Sequence, residues 1–202
     1  MRRLGFSKKI EENKEAKENK LLESAFRLFT DKGVKNTSIQ EIVNDAGVAK
    51  GTFYLYFKDK YDLEKYLIIK KTKQLFSDAM EASSKQELTD YKERIIFIID
   101  YIINVFIKNR RLLTFISKNL SWGLFNDHIR LFMDEPSIGL LELFETEIKK
   151  NNGNVENPEV TLFMIIELVG SSVYTSITTE RPLPIADFKP YLYKQIREML
   201  EK

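Results

Sequence analysis

The 202-residue chain contains no cysteine. That excludes disulfides, thiolate metal sites and cysteine nucleophiles. It contains one histidine, His128, so a metal site would need carboxylates alone, and no suitably spaced cluster occurs. A Ser–His–Asp relay would have to run through His128, yet no nucleophile-elbow pattern exists. The 8 glycines are too scattered for a phosphate-cradling loop. No catalytic residue, metal or cofactor is therefore expected. An excess of either charge is also missing. The 32 basic and 30 acidic side chains leave +2, so bulk charge does not announce a nucleic-acid partner. Residues 1–65 are slightly more basic, with 14 basic against 11 acidic side chains. The longest apolar runs, Ile95–Ile99 and Leu162–Ile166, fall far short of the ~20 residues of a membrane span. No membrane partner is expected, and the early Arg2 and Arg3 do not fit a signal peptide. The expected location is cytoplasmic.

What is present is helical periodicity. Few Gly and Pro, with apolar residues at three- and four-residue spacing, predict an all-α chain of about nine helices. The first covers about residues 8–32, with Leu21, Leu22, Ala25, Phe26 and Phe29 on one face and Gly33 as its cap. Its charged opening reads as a solvated extension, or else as an arm that touches DNA. Ser38 and Glu41 form a capping box that opens a helix over about 39–45. Gly47 supplies the left-handed residue of a tight turn. A third helix runs over about 49–56, and Asp59 caps a fourth over about 60–81. Further helices are expected over about 88–108, 110–122, 127–151 (broken near Pro136), 158–178 and 187–201.

Residues 37–60 therefore read as a helix-turn-helix, which places one helix in the DNA major groove. Ile39, Ile42, Val43, Val48 and Phe53 point inward. Ala49, Lys50, Thr52, Tyr54 and Tyr56 remain for the outside, with Gly51 among them. Lys50 can meet phosphate or guanine, and Thr52 a base edge or thymine methyl. The tyrosine hydroxyls suit phosphate oxygens. Thr37 and Ser38 at the positive end of the second helix, and Lys60 at the start of the fourth, are natural phosphate positions.

Several ordered features carry a family resemblance: Ala25-Phe26-x-Leu28-Phe29, Gly33, Thr37-Ser38-Ile39-x-x-Ile42, the run Ala46–Thr52, Phe53-Tyr54-x-Tyr56-Phe57 and Lys60-x-x-Leu63. From Leu21 to Leu67 the chain resembles the DNA-binding domain of the TetR (TetR/AcrR-like) bacterial transcriptional regulators. Val43 and Leu55 depart from common family choices. The resemblance implies an all-α homodimer with a DNA head over 1–58 and a ligand-binding, dimerising body over 59–202. It also implies a palindromic operator, released when a small molecule in the body moves the fourth helix. Such proteins are most often repressors.

In the body, the helix at 158–178 is apolar on nearly every side and reads as buried all round. Phe188, Leu192, Ile196 and Leu200 form a stripe on the last helix. These two helices are the expected homodimer interface. Candidate effector contacts are Phe97, Tyr101, Phe115, Trp122, Phe125, Phe163 and Tyr174. Asp100 and Glu167 stand inside apolar runs, so each is exposed, paired or kept for a ligand. A Glu167 facing a cavity would favour a cationic ligand. Competing readings are a non-specific architectural DNA binder, disfavoured by the near-zero charge, and a ligand-binding helical protein with a vestigial head.

Overall fold

The computed structural model describes residues 2–116 and 140–201. Nine α-helices and no strands occur among them. In chain order they are α1 (Arg2–Lys32), α2 (Ile39–Ala46), α3 (Lys50–Tyr54), α4 (Lys60–Ser84) and α5 (Tyr91–Lys108). Then come α6 (Arg110–Ile116), α7 (Leu140–Lys150), α8 (Pro158–Thr179) and α9 (Ile185–Met199). Trp122, Phe125, His128 and Pro136 lie outside the described residues.

The chain divides into two compact units, Met1–Ile68 and Ile69–Lys202. The first takes in the opening turns of α4, whose Leu63 and Leu67 are fully buried. Its core joins them to Leu21, Ala25, Ile42 and Phe53, also buried. An aromatic cluster closes it: the Phe57 ring lies 5.8 Å from Phe53 and 5.5 Å from Tyr66. α1 is helical from Arg2, so the charged opening extends the first helix rather than preceding it. Residues 13–20 contribute almost no buried surface.

Local chemistry sets the helix ends. Asp59 accepts from the amides of Tyr61 and Asp62 at 2.8 and 2.9 Å and so opens α4. Asp90 accepts from Lys92 at 2.9 Å, which starts α5 at Tyr91 rather than near 88. Asn109 separates α5 from α6, capping the second through the Leu112 amide at 3.0 Å. Asn157 accepts from Val160 at 3.1 Å, with Pro158 in the first helical turn of α8. Pro190 lies inside α9. It removes the donor for Ala186, whose exposed position tolerates the loss.

The second unit is built on α8. This helix is long and apolar enough to cross a membrane by length and composition, a property that short apolar runs did not reveal. Leu162, Ile165, Ile166, Val169, Val173 and Ile177 bury one face of it in the unit. It is not buried all round, however: Val160, Phe163 and Met164 remain about half exposed, at 49%, 45% and 52%. The expected stripe on α9 packs inside the same unit, with Leu192, Ile196 and Leu200 buried and Phe188 half-buried.

Candidate nucleic-acid interface and effector cavity

The α2–turn–α3 segment is fixed by its own side chains. Ser38 accepts from the Glu41 amide at 3.2 Å while the Glu41 carboxylate accepts from the Ser38 amide at 2.8 Å, the reciprocal capping box. Lys32 donates to the same carboxylate. These bonds, Lys32 foremost, lower the Glu41 pKa to about 2. Gly47 adopts φ 64°, and the Val48 amide reaches the Val43 carbonyl at 3.0 Å. The turn thus needs a residue without a Cβ penalty in the left-handed region. Asp45 accepts from Ser24 and pairs with Arg27, contacts that hold α2 on α1 and keep its carboxyl below the usual range.

With that frame in place, Phe53 turns fully inward and the rest of α3 stays outside. Ala49, Lys50 and Gly51 are exposed and Thr52 half-exposed. Tyr54 is 54% and Leu55 80% exposed. Lys50 has no ion pair among the described residues. A Cβ on Gly51 would meet nothing within 4 Å. Ser38 is exposed beside them at the start of α2.

Three expected contacts are committed elsewhere. Thr37 is buried, and its hydroxyl donates to the Gly33 carbonyl at 2.9 Å. It shapes the α1–α2 loop instead of facing solvent. The Lys60 ammonium donates to the carbonyls of Lys35 and Thr37, each at 2.9 Å, and closes that same loop. The Tyr56 hydroxyl donates to the Lys14 carbonyl at 3.1 Å, tying the tip of the helix-turn-helix to the extended α1.

In the second unit, α4, α5, α7 and α8 line a partly open cavity of about 90 Å³. Ile95, Ile98, Ile99 and Ile102 line it from α5, and Leu162, Ile165, Ile166 and Val169 from α8. α7 contributes Leu140, Leu143 and Phe144, and α4 contributes Phe76 and Met80. Both four-residue sets follow the i, i+3, i+4, i+7 spacing of one helix face. Tyr91, Arg94 and Glu147 complete the wall.

None of the described effector candidates lines this cavity. Asp100 is paired instead: Lys189 donates to it at 2.6 Å, Asn104 at 2.8 Å, and Tyr193 also donates. Burial pushes its carboxyl up, but the bonds from Lys189 and Tyr193 outweigh it and leave the pKa low. The same contacts, with burial, raise the Tyr193 hydroxyl. Glu167 and Phe163 face outward, which removes the basis for a cationic ligand at Glu167. Phe115 is buried, and Phe97, Tyr101 and Tyr174 are half-buried away from the cavity. Reading the site from aromatic residues missed the isoleucine stripe of α5, although its spacing is plain in the sequence.

Comparison with known proteins follows the same division. The sequence pattern described as "Bacterial regulatory proteins, tetR family" matches residues 21–67. The HTH-type transcriptional regulator SAS2464 of Staphylococcus aureus is 27% identical, over 94% of this chain and 98% of its own. The crystal structure of a TetR-family transcriptional regulator from Syntrophomonas wolfei superposes with a TM-score of 0.68 at 27% identity. The match covers 93% of this chain and 96% of that one. The regulator FadR from Bacillus subtilis, solved with stearoyl-CoA, shares the fold at 18% identity with a TM-score of 0.65, covering 89% and 97%.

Proposed function

We propose, from the premise that this chain belongs to the TetR family and is a DNA-binding transcriptional regulator rather than an enzyme, that it acts as a cytoplasmic homodimeric repressor. In this reading it binds a palindromic operator and leaves it when a small apolar molecule binds. The observation that carries the reading is the outward surface of α3. Ala49, Lys50, Gly51, Thr52 and Tyr54 are free of the core, on a helix held by the Gly47 turn. Thr52 reads bases and Tyr54 touches phosphate, with Ser38 at the start of α2 as a second anchor. Tyr56, Lys60 and Thr37 support these contacts by fixing the loop and the tip.

The dimer reading rests on the exposed apolar side chains of α8, Val160, Phe163 and Met164, with Tyr191 of α9 also exposed. An apolar face of this kind is covered most simply by its own copy. Two α3 helices about one duplex turn apart, ~34–36 Å, would then read two half-sites. The effector reading rests on the apolar cavity. Phe76 and Met80 in its wall belong to α4, the helix whose first turns lie in the N-terminal unit.

Selection of random duplexes by the purified protein at ~150 mM salt, read by sequencing, tests the proposal. Enrichment of an inverted repeat is the expected result. Retention without any enriched sequence would point to the architectural reading and overturn this one.

A further inference from the structure

α1 runs several turns beyond the core that its second half builds. Leu21, Ala25 and Phe29 are buried, whereas Lys14, Lys17 and Lys20 are exposed and have no ion pair among the described residues. The charges of this stretch are sorted by sign. At ~3.6 residues per turn, Arg2, Arg3, Lys9, Lys14, Lys17 and Lys20 fall on one side of the helix. Glu11, Glu12, Glu15 and Glu18 fall on the other, and Lys8 alone breaks the pattern. A helix that is merely solvated gains more from opposite charges interleaved at three- and four-residue spacing. The basic side is also the side that holds the helix-turn-helix. Lys17, Lys20, Ser24 and Arg27 follow one another at that spacing, on one stripe. Ser24 and Arg27 hold Asp45 of α2. Nearer the N-terminus, the Tyr56 hydroxyl reaches the Lys14 carbonyl at 3.1 Å, just past the end of α3.

We propose that the basic side of α1 lies along the phosphate backbone of the duplex flanking each half-site, so that operator contact runs beyond the groove met by α3. The inference rests on the regulator reading above and adds a second DNA-contacting element to it. Continuity argues for the place. Lys14 stands beside the tip of the helix-turn-helix, so a duplex seated on α3 passes close to it. From residue 14 back to residue 2 the helix rises ~18 Å, at ~1.5 Å per residue. That length spans about five base-pair steps of ~3.4 Å. Charge argues for the occupant. A row of exposed lysines with no acid among them matches a row of phosphates, and the carboxylates stand on the opposite side of the helix. The row suits affinity rather than base readout. A lysine ammonium is a compact point charge on a flexible stem, and phosphate contacts carry no sequence information. The sorting also answers the near-neutral total of +2, because the basic charge is gathered where the duplex would lie.

The test uses full-length protein and the inverted-repeat duplex recovered by the selection above, in two lengths. One ends at the half-sites, and the other carries about ten further base pairs on each side. Wild-type protein should bind the longer duplex at least about tenfold tighter at ~150 mM salt. The triple variant Lys14→Gln, Lys17→Gln, Lys20→Gln should lose that advantage and hold the short duplex to within about threefold of the wild type. The Tyr56 bond goes to the main chain of Lys14, so it survives the substitution. On the longer duplex, the log–log slope of affinity against salt should shrink by about 1 for each phosphate contact removed. The preferred base sequence should stay the same. Lys8→Gln, at a position on the acidic side, is the control and should keep the full advantage. Hydroxyl-radical footprints should show flank protection by the wild type that the triple variant lacks. Equal affinity of the wild type for both lengths would overturn the proposal. So would a loss in the triple variant that is the same on both lengths, since the lysines would then act within the half-site or through the fold of the head. A selection that yields no motif removes the regulator reading and this inference with it. A selected operator whose flanks make no difference removes this inference alone.

Discussion

The Tyr91 hydroxyl donates to the main-chain carbonyl of Leu200 at 2.7 Å in a buried setting, joining the first residue of α5 to the end of α9. The same ring packs against Gly153, where an added Cβ would fall 2.9 Å from the ring carbon Cζ and from the hydroxyl oxygen. Tyr91 thus seals one end of the second unit from two sides. Tyr91→Phe leaves a buried carbonyl without its donor and should cost about 1–3 kcal/mol. Gly153→Ala forces the ring aside and should cost a similar amount. Urea unfolding curves read both losses. An unchanged midpoint in Tyr91→Phe would show that the bond contributes nothing.

Gly47 and Gly51 separate folding from recognition. Gly47 holds φ 64°, so Gly47→Ala should destabilise the N-terminal unit by roughly 1–2 kcal/mol. Gly51 lies in α3 with open space around it, and Gly51→Ala should be neutral or stabilising by up to about 1 kcal/mol. The proposed close approach of α3 to the groove makes the second variant the worse binder for its stability. Melting temperature and operator affinity, measured on both, should rank them in opposite orders relative to the wild type.

Thr52 and Tyr54 are expected to divide recognition between them. Tyr54→Phe removes the proposed phosphate contact and should weaken binding by a similar factor across sequences. Thr52→Ala should change which bases are preferred, by ~1–3 kcal/mol at one position. Affinities over a panel of single-base operator variants check the division. A uniform loss in both variants would contradict it.

Acid should loosen the helix-turn-helix at its cap. Glu41 has a folded pKa of about 2 against an ordinary 4.5, set by Lys32 and then by Ser38. Its carboxylate therefore stabilises the folded form above pH 4.5, and that contribution is lost as pH falls from 4.5 towards 2. Glu41→Gln should lose the acid sensitivity that this group confers on the head, since no proton is taken up there. Hydrogen-exchange protection of the α2 amides across this pH window would show the difference.

The helices were legible where a short-range signal sets them. Ser38 with Glu41, Asp59, and Asn157 with Pro158 are written as caps and act as caps. Gly33 and Gly47 occupy the left-handed region where turns were expected. The outward face of α3 was equally readable, because Phe53 alone among its residues suits a core. The commitments of Thr37, Tyr56 and Lys60 were not. They depend on carbonyls of residues 33, 14, 35 and 37, whose positions only the folded loop and the long α1 supply. The cavity was missed for a different reason. Aromatic residues and lone carboxylates drew attention, yet Asp100 found Lys189 and Tyr193 on α9, 89 and 93 positions away. The isoleucines that line the space look in sequence like any other core.

The half-exposed trio of α8, Val160, Phe163 and Met164, has a bearing on gene dosage. If two copies must meet there before an operator is held, the active species scales with the square of chain concentration wherever monomers predominate. Halving expression would then cut the operator-competent pool about fourfold. A promoter under such control counts molecules steeply at low copy number and flattens once pairing saturates. A side chain that weakens pairing would shift that threshold without touching DNA or effector.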